Sequence, residues 1–252
     1  MRLGIIGVGH LSATILQGWL RAGRPARQIL LSPRGRGAEL SATQGFGLAA
    51  DNAEVVRDSD IVLLAVRPAD AAGAIEGLPW RAGQILASAC AGVPIARLAE
   101  VARPAEPMRI MPITASALGA SPTVVFPHHA ALDPLLSAIG TAIVLDSEAQ
   151  FEAATVSAAV YGWVKALIRD TADWSARRGL DETAARQLVA RTFVAAGRML
   201  DEQDAPMDRL IDSVVTPGGI TEAGMTRLGA AGVPEAWLAA CAVVLAQLDR
   251  RS

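Results

Sequence analysis

Cysteine is nearly absent from this chain of 252 residues: Cys90 and Cys241 are the only two. They stand far apart and in no CxxC pair, which removes a disulfide framework and a zinc site from consideration. Both read instead as small buried hydrophobes. The three histidines, His10, His128 and His129, offer no i, i+4 pair with an acid nearby, so no metal is expected. Long apolar runs are missing too. None approaches the roughly 20 residues of a membrane span, and the opening strand is too short and too glycine-broken for a signal peptide. The formal charge of −2 supplies neither a basic field for nucleic acid nor an acidic tail. The expectation is a soluble cytoplasmic protein with no nucleic-acid or membrane partner. Lysine and tyrosine are scarce as well, with Lys165 and Tyr161 the single representative of each.

What is abundant is apolar: 52% of residues are hydrophobic, enough for a substantial core in one or two domains. The first stretch, Arg2 to Gly18, runs from an apolar segment into Gly7-Val8-Gly9 and then into a helix pattern. Leu3 to Ile6 reads as a buried strand, Gly7 as the tight turn, and Gly9 as the point where backbone approaches a ligand for want of a Cβ. Ser12 takes the third position of the fingerprint and is small enough for close helix packing. The helix starting at His10 or Leu11 aims its N–H groups and positive dipole end at the turn, where a pyrophosphate would sit. His10 either caps that helix or touches a phosphate.

The second strand, residues 29–32, ends in Ser32-Pro33-Arg34-Gly35-Arg36. An acid here would bind a ribose 2′-OH, whereas a serine with arginines suits a 2′-phosphate. NADP(H) is therefore expected over NAD(H), the alternative being a solvated basic turn. Asp51 is a plausible N-cap for a helix over 52–57. Residues 60–66 and 84–88 read as continuous apolar strands of a sheet covered on both faces, and Pro68 suits the first turn of a helix. Arg67, Pro68, Ala91 and Gly92 follow these strands, where a doubly wound sheet binds its ligand, and are candidates for the nicotinamide side, with Ala65 and Val66 also expected to bind the cofactor. Residues 109–111 and 123–126 are expected as outer strands, 133–139 as a helix and 141–145 as the last strand.

From Ser147 the β-rich runs stop. Helices are predicted over 148–178, 181–202 with Asp181 as N-cap, 206–215, 221–230 and 234–250. The fold class is α/β: a Rossmann domain over 1–147, doubly wound with a mainly parallel sheet, then an all-α dimerisation domain over 148–252. Surplus apolar helix faces predict a homodimer or a higher homo-oligomer through the C-terminal helices. Trp163 and Trp174 read as core or dimer contacts.

Later in the chain, Thr216-Pro217-Gly218-Gly219-Ile220-Thr221, preceded by Asp212, puts two glycine N–H groups and two hydroxyls at a helix start. Such a nest is an anion site, or else a plain Pro-Gly turn between helices. Tyr161 and Lys165 stand four apart, on one helix face. A phenol beside an ammonium is a reasonable proton donor; the alternative is a packed tyrosine and a snorkelling lysine.

In order and spacing, five features resemble the pyrroline-5-carboxylate reductases over nearly the whole chain. They are Gly7-Val-Gly-His-Leu11; Ser32-Pro-Arg34; Asp51-Asn52-Ala-Glu with Asp60-Ile-Val-Leu-Leu-Ala-Val-Arg67-Pro68; Arg109-Ile-Met111-Pro112; and the Thr216 to Thr221 run. The resemblance implies NADPH giving hydride to the C=N carbon of a cyclic imino acid. It also implies cofactor contact at Asn52 and a substrate carboxylate held by the Pro-Gly-Gly turn with Thr221. The chain departs from the family where Ile113-Thr114-Ala115 replaces Asn-Thr-Pro, and where Ser157-Ala-Ala-Val-Tyr161-Gly-Trp163 replaces Ser-Gly-Ser-Gly-Pro-Ala-Tyr. The substrate pocket is thus rebuilt. The β-hydroxyacid dehydrogenases share the two-domain plan and would use Lys165 to oxidise an alcohol, though the Pro-Gly-Gly turn argues against them. A cofactor-binding homologue without turnover is the other alternative.

Overall fold

The computed structural model describes residues 2–250. The chain runs β1 (Leu3–Ile6), α1 (His10–Arg21), β2 (Ile29–Leu31), α2 (Gly37–Gln44), β3 (Gly47–Leu48), α3 (Asn52–Arg57), β4 (Ile61–Leu64), α4 (Ala71–Ile75), β5 (Ile85–Ser88), α5 (Ile95–Ala102), β6 (Glu106–Met111), β7 (Ser121–Phe126), α6 (Asp133–Ile139) and β8 (Gly140–Val144). Five helices complete it: α7 (Glu148–Ala176), α8 (Glu182–Asp201), α9 (Met207–Asp212), α10 (Ile220–Ala230) and α11 (Val233–Asp249).

The eight strands form one sheet in the order β3-β2-β1-β4-β5-β6-β7-β8. Among the described residues only β6 and β7 pair antiparallel; every other neighbour is parallel. The order reverses between β1 and β4, which opens a crevice at their carboxyl ends. The strands are apolar on both sides because both faces are covered. Leu3, Ile5, Ile29, Leu31, Ile61 and Leu63 point into one core, with Ile15, Leu16 and Trp19 of α1 and Ile139 of α6. Ile6, Leu30, Val62, Leu64 and Leu86 point into the other, with Val55 and Val56 of α3, Ile75 of α4 and Leu98 of α5. Each such side chain removed from water contributes about 1.5–3 kcal/mol.

Local signals behave as their chemistry dictates. Asp51 accepts the Glu54 N–H at 2.8 Å and starts α3, and Asp181 accepts that of Ala184 at 2.9 Å and starts α8. Pro68 opens a short 3-10 turn before α4. Helix α5 has no counterpart in the sequence reading; it begins after Pro94 without a side-chain cap. Cys90 is buried as expected, whereas Cys241 is only half-buried.

By contacts the chain forms two compact units. One holds residues 2–158 with 245–250, the other Ala159–Val244. The strands end close to the expected boundary at 147, but the first unit continues through the opening turns of α7. Phe151 of α7 packs with Met111 and Val124 of the sheet, and charge joins the same elements. Arg109 on β6 is 1% exposed and pairs with Glu148 at 2.9 Å and Glu152 at 2.6 Å, both on α7.

The second unit is helical with a small interior: Ala172, Ala185 and Val189, flanked by Ile168 and Phe193. Trp163 and Trp237 meet edge to face at 5.4 Å, and Trp174 is exposed beneath Arg178. Leu188, Val194, Met199, Val214, Leu238 and Val243 are all exposed. Among the described residues no single helix is long and apolar enough to cross a membrane, and no group of three or more His, Cys, Asp or Glu side chains could hold a metal ion.

Candidate active site

The crevice of the first unit is built around Gly7. Its φ of +94° suits glycine, and a Cβ there would stand 2.6 Å from the Ala65 carbonyl oxygen. The turn is closed from below by Ser12, whose hydroxyl donates to the Gly7 carbonyl at 2.7 Å. Gly9 is the N-cap of α1, and the place where its Cβ would be has no atom within 4 Å, so the backbone there is open to a ligand. The N–H groups of His10, Leu11 and Ser12 open the helix beyond the reach of any i−4 carbonyl. His10 does not cap the helix; no side chain does. Leu11 offers only its backbone, since its side chain packs against the core.

Ser32 is tied to the turn. It is buried, and its hydroxyl accepts the Gly7 N–H at 3.3 Å, which supports the glycine turn from the cavity wall. The loop after it is also tied to the turn, through the Arg36 N–H on the Val8 carbonyl at 2.9 Å. Of the two arginines, Arg36 is engaged by Glu39, whose hydrogen bond and charge raise its pKa further. Arg34 is exposed and has no partner among the described residues. It borders two adjoining cavities of about 510 and 430 Å³. Gly7, Ser32, Val66 and Arg67 line the first, Asp51 the second, and Asn52 both. The Asn52 amide donates to the Ala74 carbonyl at 3.0 Å, and Arg67 pairs with Asp70 at 2.9 Å. Arg67 and Pro68 also line a further cavity with Val93. Ala65 donates its N–H to Ile6, and Ala91 packs against Met111, Val124 and Phe151. An open glycine turn, unpaired helix N–H groups and a free guanidinium suit the diphosphate and 2′-phosphate of NADP.

The turn at 216–221 lies in the second unit. Gly218 has φ +73°, and Gly219 is the N-cap of α10. The sequence reading left both glycine N–H groups open; in the structure each has a partner within the chain. Gly219 donates to the Thr216 carbonyl at 2.8 Å, and Gly218 to the Glu222 carboxylate at 2.7 Å. The N–H groups of Ile220, Thr221 and Glu222 begin the helix without an i−4 carbonyl. Ile220 itself is 94% exposed. Glu222 was missed from sequence, although a glutamate three residues after an N-cap is a familiar helix-start signal.

The Lys165 ammonium lies over the face of the Tyr161 ring, 4.1 Å from its centroid. The pair thus meets as cation and ring face. Lys165 also borders a charged groove with Arg169, Asp173, Glu182 and Arg186, between α7 and α8.

Residues 148–249 match the family model described as pyrroline-5-carboxylate reductase dimerisation. Residues 2–92 match one described as NADP oxidoreductase, coenzyme F420-dependent. Among curated proteins, the chain is 31% identical to pyrroline-5-carboxylate reductase of Pseudomonas aeruginosa, covering 92% of this chain and 89% of the relative. It is 27% identical to that of Methanosarcina acetivorans, covering 94% and 93%. Among solved structures, pyrroline carboxylate reductase of Plasmodium falciparum with NADP bound superposes with a TM-score of 0.88 at 20% identity, over 100% of this chain and 98% of that one. A reductive aminase from Aspergillus terreus reaches 0.61 at 17% identity, over 96% and 92%. At these identities the structural matches speak to fold.

Proposed function

The chain belongs to the pyrroline-5-carboxylate reductase family, whose members are NADP-dependent oxidoreductases of C=N bonds, and from that premise we propose that it reduces pyrroline-5-carboxylate, or a close cyclic analogue, to the saturated amino acid. What carries the reading is the presence in one chain of both required binding elements: the open glycine turn with an unpartnered Arg34, and the 216–221 turn.

NADPH, when bound, supplies hydride to the C=N carbon. The chain's own residues do the rest. The first N–H groups of α1 hold the diphosphate, and Arg34 holds the 2′-phosphate. Asn52 borders the cavity that takes the cofactor's adenosine side. Ala65, Val66, Arg67, Pro68, Ala91 and Gly92 wall the nicotinamide side. The substrate carboxylate is held by the turn of Thr216, Pro217, Gly218 and Gly219 with Thr221, through free N–H groups and hydroxyls, displacing Glu222 as it binds. A proton must reach nitrogen as hydride reaches carbon, and Tyr161 gives it or anchors the substrate, supported by Lys165. Thr221 is the other hydroxyl to which we assign this role.

The exposed apolar residues of the second unit support a homo-oligomer, with a dimer formed through the C-terminal helices. We place the enzyme in the cytoplasm. The test is NADPH oxidation with pyrroline-5-carboxylate, piperideine-2-carboxylate and a cyclic imine lacking a carboxylate. Turnover of either acid and none of the carboxylate-free imine is expected. Equal turnover of all three would remove the carboxylate from the account, and turnover of none would remove the reaction.

A further inference from the structure

Behind the proposed nicotinamide wall lies a buried ion cluster that the reaction does not use. Arg109 is sealed from solvent, its guanidinium 4.5 Å from the Phe151 ring centroid, and it faces two carboxylates one helical turn apart, Glu148 and Glu152. Two atoms of Arg109, Nε and Nη2, have no hydrogen-bond partner, and neither carboxylate oxygen of Glu152 makes a well-formed hydrogen bond. As a stability device this is poor, since a packed apolar trio would serve as well or better. What an apolar trio could not do is reach a backbone donor. Glu148 does: the oxygen that takes Arg109 Nη1 at 2.9 Å also takes the N–H of Ile95, the first residue of α5, at 2.8 Å.

Ile95 closes the loop 91–94, and Cys90 opens it. Cys90 is fixed by its own contacts: its thiol donates to the carbonyls of Leu64 at 3.7 Å and Val66 at 3.4 Å, at the end of β4. In the middle, Ala91 packs in the same cluster as Phe151, Met111 and Val124. The loop is therefore held at both ends and at its centre. The far end depends on Glu148, a partly exposed side chain held in place by a buried cation.

We propose that Glu148, oriented by Arg109, is a positioning residue that sets where loop 91–94 stands against the nicotinamide ring. This rests on the assignment of that loop to the nicotinamide side. It predicts a separation of effects, because the diphosphate is held elsewhere, at the α1 start.

The test uses full-length Glu148→Ala and Glu148→Gln, checked for folding by circular dichroism. Three quantities are read: Kd for NADPH, the fluorescence emission of bound reduced nicotinamide, and kcat with pyrroline-5-carboxylate. Glu148→Ala is expected to hold Kd within about twofold, to shift the emission, and to lower kcat about tenfold or more, as a small misplacement at a reacting centre does. Glu148→Gln keeps an acceptor for Ile95 and is expected to recover kcat to within about threefold of the parent. Should the alanine variant not fold, Glu148→Asp, one methylene shorter, carries the same readings. Unchanged emission and kcat would overturn the proposal, as would Kd weakening in step with kcat or a glutamine variant no better than alanine. If the parent oxidises NADPH with no imine, the functional reading fails, and the emission shift still decides the positioning role.

Discussion

Glu222 accepts the Gly218 N–H at 2.7 Å, so one of the chain's own carboxylates already stands at the turn proposed to hold the substrate's. The two anions compete for one donor and repel each other. Glu222→Gln keeps an acceptor and removes the charge. Its expected effect is a KM for pyrroline-5-carboxylate lower by about fivefold, the worth of roughly 1 kcal/mol. The KM for a carboxylate-free imine should stay constant. Steady-state kinetics with the two substrates check this, and a fall shared by both would point to a general loosening of the turn.

Arg34 is the cation at the end of β2 that Glu39 leaves alone. Arg34→Ala is expected to raise KM for NADPH about 10- to 100-fold, the range for a lost charged hydrogen bond of roughly 1.5–3 kcal/mol. KM for NADH should be nearly unmoved. A specificity-constant ratio for the two cofactors that matches the parent's would remove Arg34 from the 2′-phosphate.

At Tyr161 and Lys165 the cation sits over the ring face, 4.1 Å from its centre. If the phenol delivers the proton, Tyr161→Phe lowers kcat by about 100-fold or more. Lys165→Ala should then produce a smaller loss, as a supporting charge does. Turnover within about twofold in both variants ends the proton-donor role and leaves a packing pair.

The two cysteines differ in burial. Burial pushes the Cys90 thiol up from its ordinary pKa, outweighing the Ser88 and Val66 hydrogen bonds and the nearby Arg109 charge that pull it down. A raised pKa keeps the group a neutral thiol through mildly alkaline pH, and the thiolate is the reactive form. Iodoacetamide at pH 8 is expected to label half-buried Cys241 first and Cys90 only on unfolding, read by peptide mass mapping. Equal labelling of the native protein would contradict this.

Most of the sheet was legible because both of its faces are covered, which makes its strands continuous apolar runs such as Ile61–Leu64. Helix α6 was legible because Asp133-Pro134 opens it and Gly140 follows it. Helix α5 was not, since it follows a proline with no polar cap. The conformation of the glycine turn followed from its residues, but the hydrogen bond that ties Ser32 to it did not. Only the folded chain shows its hydroxyl turned in to Gly7. The Arg109 cluster joins residues 39 apart, and no local period links them. The available hints were an arginine inside the apolar strand Glu106–Met111 and two glutamates four apart at a helix start.

The same cluster limits how modular the protein is. A fragment ending at residue 147, where the strands stop, would discard both carboxylates of Arg109 and the Phe151 ring that packs on it, together with the apolar cluster Phe151 forms with Met111 and Val124. Loss of one buried aromatic side chain alone costs about 3–5 kcal/mol, a large share of what holds any domain folded. The nucleotide-binding unit is thus not portable at the boundary its strands suggest. Any exchange with another helical partner has to carry about the first three turns of α7 along with the sheet.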